Sequence, residues 1–163
     1  MAKVSYKNKT EEIRALFEKF KKQSNSIYWT GILSVVSFII MLFRENKTYT
    51  LGYSVNVILH KVLLDNLDKV FAYVLSFLFV LILAVIFFFL SKEVKKGKFI
   101  PLIVTTSIYG LDAFSLFFTK GLYTTDWDYI VAIIVHVLVL GYLFYLIYLY
   151  NKIVNLSNEN NKK

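Results

Sequence analysis

Asp112 and His136 each stand inside a long apolar stretch. Charge is expensive there, so an ionisable side chain marks either a bond between helices or a functional path. The two lie twelve residues before and after Thr124, the middle of the short link between their stretches. In an antiparallel helical hairpin they therefore reach matching depth, roughly 10 Å inside the membrane edge. A carboxylate beside an imidazolium costs less in hydrocarbon than either group alone. Tyr109, three residues before Asp112, shares its helix face and can donate a hydrogen bond to it. Tyr109, Asp112 and His136 form the candidate intramembrane polar cluster. Its simplest chemistry is a structural hydrogen bond pinning the hairpin. A proton relay or a ligand site is the functional alternative. A metal site needs more: one His and one Asp are two ligands, and His60, Asp126 or Asp128 would have to be recruited from other segments. No metal or other cofactor is expected. No nucleophile spacing stands out, so no residue is assigned as catalytic and the chain reads as a non-enzyme.

The elements that must position this cluster are membrane helices. Hydrophobic residues make up 57% of the 163, and the mean hydropathy is +0.57. A spanning helix needs roughly 20 apolar residues. Four stretches reach or approach that length: 27–43, 70–90, 99–119 and 129–150. The single proline, Pro101, falls in the first turn of the third, where a missing N–H does no harm. With no cysteine there is no disulfide, thiol nucleophile or thiolate metal site. No cleavable signal peptide is visible, and the first span reads as an uncleaved signal anchor.

On a helical wheel Thr105, Thr106, Tyr109, Gly110, Asp112 and Ala113 share one arc of the third span. Val104, Ile108, Leu111, Phe114 and Phe118 take the opposite arc. Asp112 thus points toward the bundle interior with the small and hydroxyl residues. Gly110 fits a close helix contact. Gly31, Ser34 and Ser37 in the first span, and Ala72, Ser76 and Ala84 in the second, permit close approach between helices. Tyr142, Tyr145 and Tyr148 lie on the side of the fourth span opposite His136. They read as interfacial tyrosines or as a contact with a second copy.

Lys and Arg mark the cytoplasmic side. Fourteen fall in the N-terminal segment, the link between spans two and three, and the tail; five fall on the other side. Both termini are therefore expected in the cytoplasm, and the net charge of +8 suits anionic lipid headgroups at the inner face. No motif points to nucleic acid. Residues 10–24 read as an amphipathic helix capped by Thr10, with Ile13, Leu16, Phe17 and Phe20 on one face, lying on the inner leaflet. Val55, Ile58, Leu59, Val62 and Leu63 form another helical stripe flanked by His60, Lys61, Asp65 and Asp68. It predicts a short helix capping the outer face, separate from span two or running on into it.

The sequence Tyr109-Gly-Leu-Asp112-Ala, an acidic-aromatic turn with Asp126 and Trp127, and then His136, resembles a loose group of small four-span bacterial membrane proteins with no assigned activity. The match covers the last hairpin, about a third of the chain, with weaker likeness around Leu51 and Gly52. The resemblance implies a bacterial inner-membrane protein in which Tyr109, Asp112 and His136 matter, and implies no reaction.

The expectation is an all-α integral membrane four-helix bundle with an N-terminal amphipathic helix and a short outer capping helix. Residues 1–26 form a cytoplasmic lead-in, 27–150 the membrane domain and 151–163 a polar cytoplasmic tail. The leading function is a non-enzymatic accessory or interaction protein of the bacterial cytoplasmic membrane, with a second copy or a membrane protein as possible partner. One alternative is a small transporter, channel subunit or proton-coupled device using Asp112 and His136. Another is a lipid-modifying membrane enzyme.

Overall fold

The computed structural model describes residues 2–43, 53–123 and 125–161, with side chains placed from 9 to 160 within them. Arg44, Lys47, Thr48, Leu51, Gly52, Thr124, Lys162 and Lys163 lie outside the described residues. The described chain is all helical. Six α-helices follow in order: α1 (Ala2–Gln23), α2 (Asn25–Phe43), α3 (Ser54–Asn66), α4 (Lys69–Lys95), α5 (Phe99–Ser115) and α6 (Asp126–Asn161). Two 3-10 turns, Leu116–Phe118 and Lys120–Leu122, close the end of α5. Four helical runs are long and apolar enough to cross a membrane: Lys9–Phe43, Lys69–Lys95, Phe99–Phe118 and Asp126–Asn160.

The exterior is what makes this a membrane bundle. Val70, Phe71, Val74, Leu78, Ile82, Val85 and Phe89 run down the outside of α4, all well exposed. Serines, threonines and small residues point inward instead. Ser34, Ser37, Ser76, Thr105 and Ala72 are buried. In a bilayer the helix contact needs tight packing more than apolarity, because lipid already satisfies the apolar side chains. Gly31 shows the closeness achieved. A Cβ built there would come 3.2 Å from the Ala84 Cα across the α2–α4 contact.

Three expectations about the flanking helices change. Helix α1 begins at Ala2, so Thr10 is an interior residue and not its cap. Its apolar face does not rest on a leaflet. Phe20 is fully buried and meets the Tyr150 ring at 6.1 Å, and Phe17 packs against the turn at Gly97. Helix α1 instead lies antiparallel along the far end of α6, and the tail expected as merely polar is the last part of that helix. Lys9 pairs with Glu159 at 3.1 Å and Lys152 with Glu12 at 3.6 Å. The first and last helices therefore leave the bundle together, at one face. Tyr142 and Tyr145 belong to this contact. The Tyr142 hydroxyl donates to the Gln23 carbonyl at 3.1 Å, and Lys19 sits over the Tyr145 ring at 5.5 Å. Tyr148 alone of the three is exposed.

Helix α3 is separate from α4. Leu67 is extended, and the Asp68 carboxylate accepts from the Val70 N–H at 2.9 Å, capping α4. The helix does more than cap the bundle end. It runs antiparallel beside α4, with His60 bonded to Ser76 and the Tyr53 ring 4.9 Å from that of Phe87. Thirteen residues carry it about 20 Å, so its N-terminus reaches the middle of the bundle. Its buried face is Ser54, Val57 and His60. The apolar stripe read from the sequence is half-buried or exposed.

Candidate functional site

The third span ends where its chemistry begins. At the end of α5 the Leu116 N–H turns to the Ala113 and Phe114 carbonyls, and the hydroxyls of Ser54 and Ser115 reach the Asp112 carbonyl. That carbonyl would otherwise be one of the orphaned acceptors at a helix C-terminus. The Asp112 side chain sits beside it, 5% exposed.

The Asp112 carboxylate caps α3 from another helix. Its Oδ1 accepts from the Val55 N–H at 2.8 Å and from the Ser54 hydroxyl at 3.0 Å, and its Oδ2 accepts from the Ser54 N–H at 3.2 Å. These backbone N–H groups belong to the first turn of α3, which carries the positive end of the helix dipole. Tyr53 at the N-cap position makes no side-chain cap of its own. Asp112 supplies it across 58 residues of chain. In hydrocarbon no water can take those donors, so the carboxylate is what lets a helix begin there.

His136 completes the cluster from α6 and is 1% exposed. Its Nε2 lies 2.9 Å from Asp112 Oδ2 and its Nδ1 lies 2.7 Å from the Ala132 carbonyl. A carbonyl only accepts, so Nδ1 carries a hydrogen. A bare Nε2 facing a bare carboxylate oxygen would be repulsive, so a second hydrogen lies between those two atoms. The pair thus holds one shared proton, as imidazolium with carboxylate or as imidazole with carboxylic acid. Either placement leaves it neutral overall, which is what burial in lipid demands.

Tyr109 joins the cluster differently from the expected hydrogen bond. Among the described residues it makes none to Asp112. Its ring lies 5.2 Å from the His136 ring and 5.8 Å from that of Tyr53, holding the imidazole in place from the other side. Gly110 makes no close helix contact; a Cβ there would meet nothing within 4 Å. It lines a groove of about 360 Å³ between α5 and α6, with Phe114, Phe117, Ile133 and Val137, that reaches down to His136. His60 sits apart from the cluster. It is buried against Phe38 and Tyr73, with Nδ1 2.9 Å from the Ser76 hydroxyl. Among the described residues no three His, Asp or Glu side chains gather into a metal site.

The residues missed from the sequence are Ser54, Val55 and Ser115. Two of the bonds come from backbone N–H groups, which no side-chain pattern reveals. The available signal was the pair Ser54 and His60 with Val57 between them, a polar face on a helix ending inside lipid.

No family model, curated protein or solved structure matches the chain. The geometry stands on its own chemistry.

Proposed function

We propose that the chain is a small multi-pass protein of the bacterial cytoplasmic membrane, with both termini in the cytoplasm, acting as a non-enzymatic accessory or interaction protein. The observation that carries this reading is the Asp112 carboxylate. Its oxygens are taken up by Ser54, Val55 and His136, all inside the protein. A carboxylate so engaged serves as a clasp joining α3, α5 and α6. The part left to meet a partner is the helical pair of α1 and the end of α6, which leaves the bundle at the face where most basic residues cluster. That charge suits anionic headgroups as well as an acidic protein surface. The test is recovery of the protein from the native membrane in mild detergent, with and without residues 2–12. A partner held by the full chain and lost on truncation is the expected result. Reporter fusions near Gly97 and at Lys163 should read cytoplasmic, and one near Thr124 external.

One observation favours a second reading, a proton-coupled device. The Asp112–His136 bond holds a single shared proton near mid-depth, between helices that face different grooves: about 360 Å³ on the His136 side and about 230 Å³ beside Asp112. On this reading Asp112→Asn folds yet abolishes any proton-driven flux in reconstituted vesicles. On the clasp reading no such flux exists to lose.

A further inference from the structure

The groove between α5 and α6 opens sideways, into the hydrocarbon around the bundle. Gly110, Ala113 and Phe117 form one wall and Tyr129, Val137 and Leu140 the other, around about 360 Å³. Phe117 and Val137 are well exposed, so no described side chain of the protein fills it. Neither Phe43 nor Tyr53, which bound residues 44–52, lines it. Gly110 gives the groove depth, since a Cβ there would meet nothing within 4 Å. Glycine weakens a helix interior, and this one packs against no other helix, so the space it leaves calls for an occupant.

Its length, floor and rim say which. From Tyr129 to Leu140 the wall runs eleven residues, about 16 Å along a helix. Half of a hydrocarbon core about 30 Å thick is about 15 Å, the reach of one acyl chain. On the floor only His136 and Tyr129 carry polar side-chain atoms. Both His136 nitrogens are already taken, Nδ1 by the Ala132 carbonyl and Nε2 by Asp112. A polar ligand would find no partner at that depth, whereas a hydrocarbon needs none. The rim is charged. Residues three apart eclipse in a 3-10 turn, so Lys120 stands above Phe117. Asp126 stands one turn above Tyr129 in α6. Both are exposed, and among the described residues neither is in an ion pair. Asp128 beside them accepts from the Thr125 hydroxyl at 2.8 Å. A cation on one wall and a carboxylate on the other complement a zwitterionic headgroup, its phosphate toward Lys120 and its cation toward Asp126. A primary ammonium can donate to Asp126, which a quaternary one cannot. We propose that α5 and α6 bind one phospholipid of the leaflet opposite the termini, its acyl chain against Gly110 and His136 and its phosphoethanolamine headgroup between Lys120 and Asp126. The seated chain keeps water from the His136 ring on that side. The site does not depend on which compartment the termini face.

The full chain is equilibrated in mild detergent with equal amounts of phosphatidylethanolamine, phosphatidylcholine and phosphatidylglycerol of one chain length. Retained lipid is counted by native mass spectrometry. The ethanolamine lipid should be held about tenfold better than the other two, the combined worth of two exposed ion pairs. Gly110→Phe, whose ring would occupy the groove, should cut retention of every lipid on the order of tenfold. Ile134→Phe, on the exposed side of α6 outside the groove, should not. The exposed replacements Lys120→Gln and Asp126→Asn should leave the chain bound and remove the headgroup preference. Added phosphatidylethanolamine should raise the thermal midpoint of the native chain and not that of Gly110→Phe. Equal retention of the three headgroups by the native chain would overturn the proposal, as would undiminished retention by a folded Gly110→Phe. Should that variant not fold, an unchanged preference in both rim variants overturns it instead.

Discussion

At the residue scale the molecule turns on one carboxylate with two duties. Asp112 caps α3 and holds His136, whereas His136 serves the pair alone. The two truncations should therefore be unequal. Asp112→Ala is expected to cost about 1 kcal/mol more than His136→Ala, the usual worth of a lost cap. The double Asp112→Ala/His136→Ala should cost less than the sum of the singles by about 0.6 kcal/mol, and up to roughly 1.7, the range for polar contacts between membrane helices. Equilibrium unfolding in detergent measures each. Equal single costs would remove the capping role, and additive ones would separate the pair. The depth argument that joined Asp112 to His136 was legible because residues equally spaced from a hairpin turn must meet in level. The capping of α3 was not legible, because its donors are main-chain groups and its acceptor is remote in sequence.

At the scale of elements, what the sequence hides is which way an amphipathic helix faces. Ile13, Leu16, Phe17 and Phe20 share one helix face, and Phe20 and Phe17 on it meet α6 and the α4–α5 turn, because a neighbouring helix offers closer packing than a lipid surface. Val55, Ile58, Leu59, Val62 and Leu63 also share a face, but in α3 the fully buried face is Ser54, Val57 and His60 instead. Spans, by contrast, announce themselves by length and hydropathy alone. Two substitutions test the packing. Phe20→Ala, at the fully buried centre of the α1 contact, should cost about 3 kcal/mol and free α1 for proteolysis. Gly97 has φ of +79° and bonds the Val94 carbonyl at 2.8 Å to end α4. Gly97→Ala should therefore cost about 1 kcal/mol, since any Cβ is strained there. A neutral Gly97→Ala in thermal unfolding would show that the turn relaxes.

For the whole molecule, the unequal spread of basic residues sets a field across the bilayer. The face carrying the termini also carries Lys92, Lys95, Lys96 and Lys98 at the α4–α5 turn; Lys61, Lys69 and Lys120 lie at the opposite face. Replacing the four turn lysines with glutamine should weaken the orientational bias. The expected result is a mixed population of reporter fusions at Lys163, against a single orientation expected for the native chain. A unanimous reading after replacement would place the decisive charges elsewhere, in α1.

The start of α3 at mid-depth also has a consequence for synthesis. Translation proceeds from the N-terminus, so α3 leaves the ribosome before the residue that caps it, 58 positions later. A thirteen-residue helix is too short to be recognised as a span in its own right. Until α5 and α6 have been made, its first N–H groups have no acceptor inside the lipid, and the segment must wait in water or at the headgroups. Insertion of α3 is therefore expected to follow that of the segment carrying Asp112. Stalled chains ending before Tyr129 should leave a cysteine at Val57 fully open to an impermeant reagent, and completed chains should slow its modification. On this expectation the fold is completed out of sequence order, a later segment supplying the acceptor that an earlier one needs.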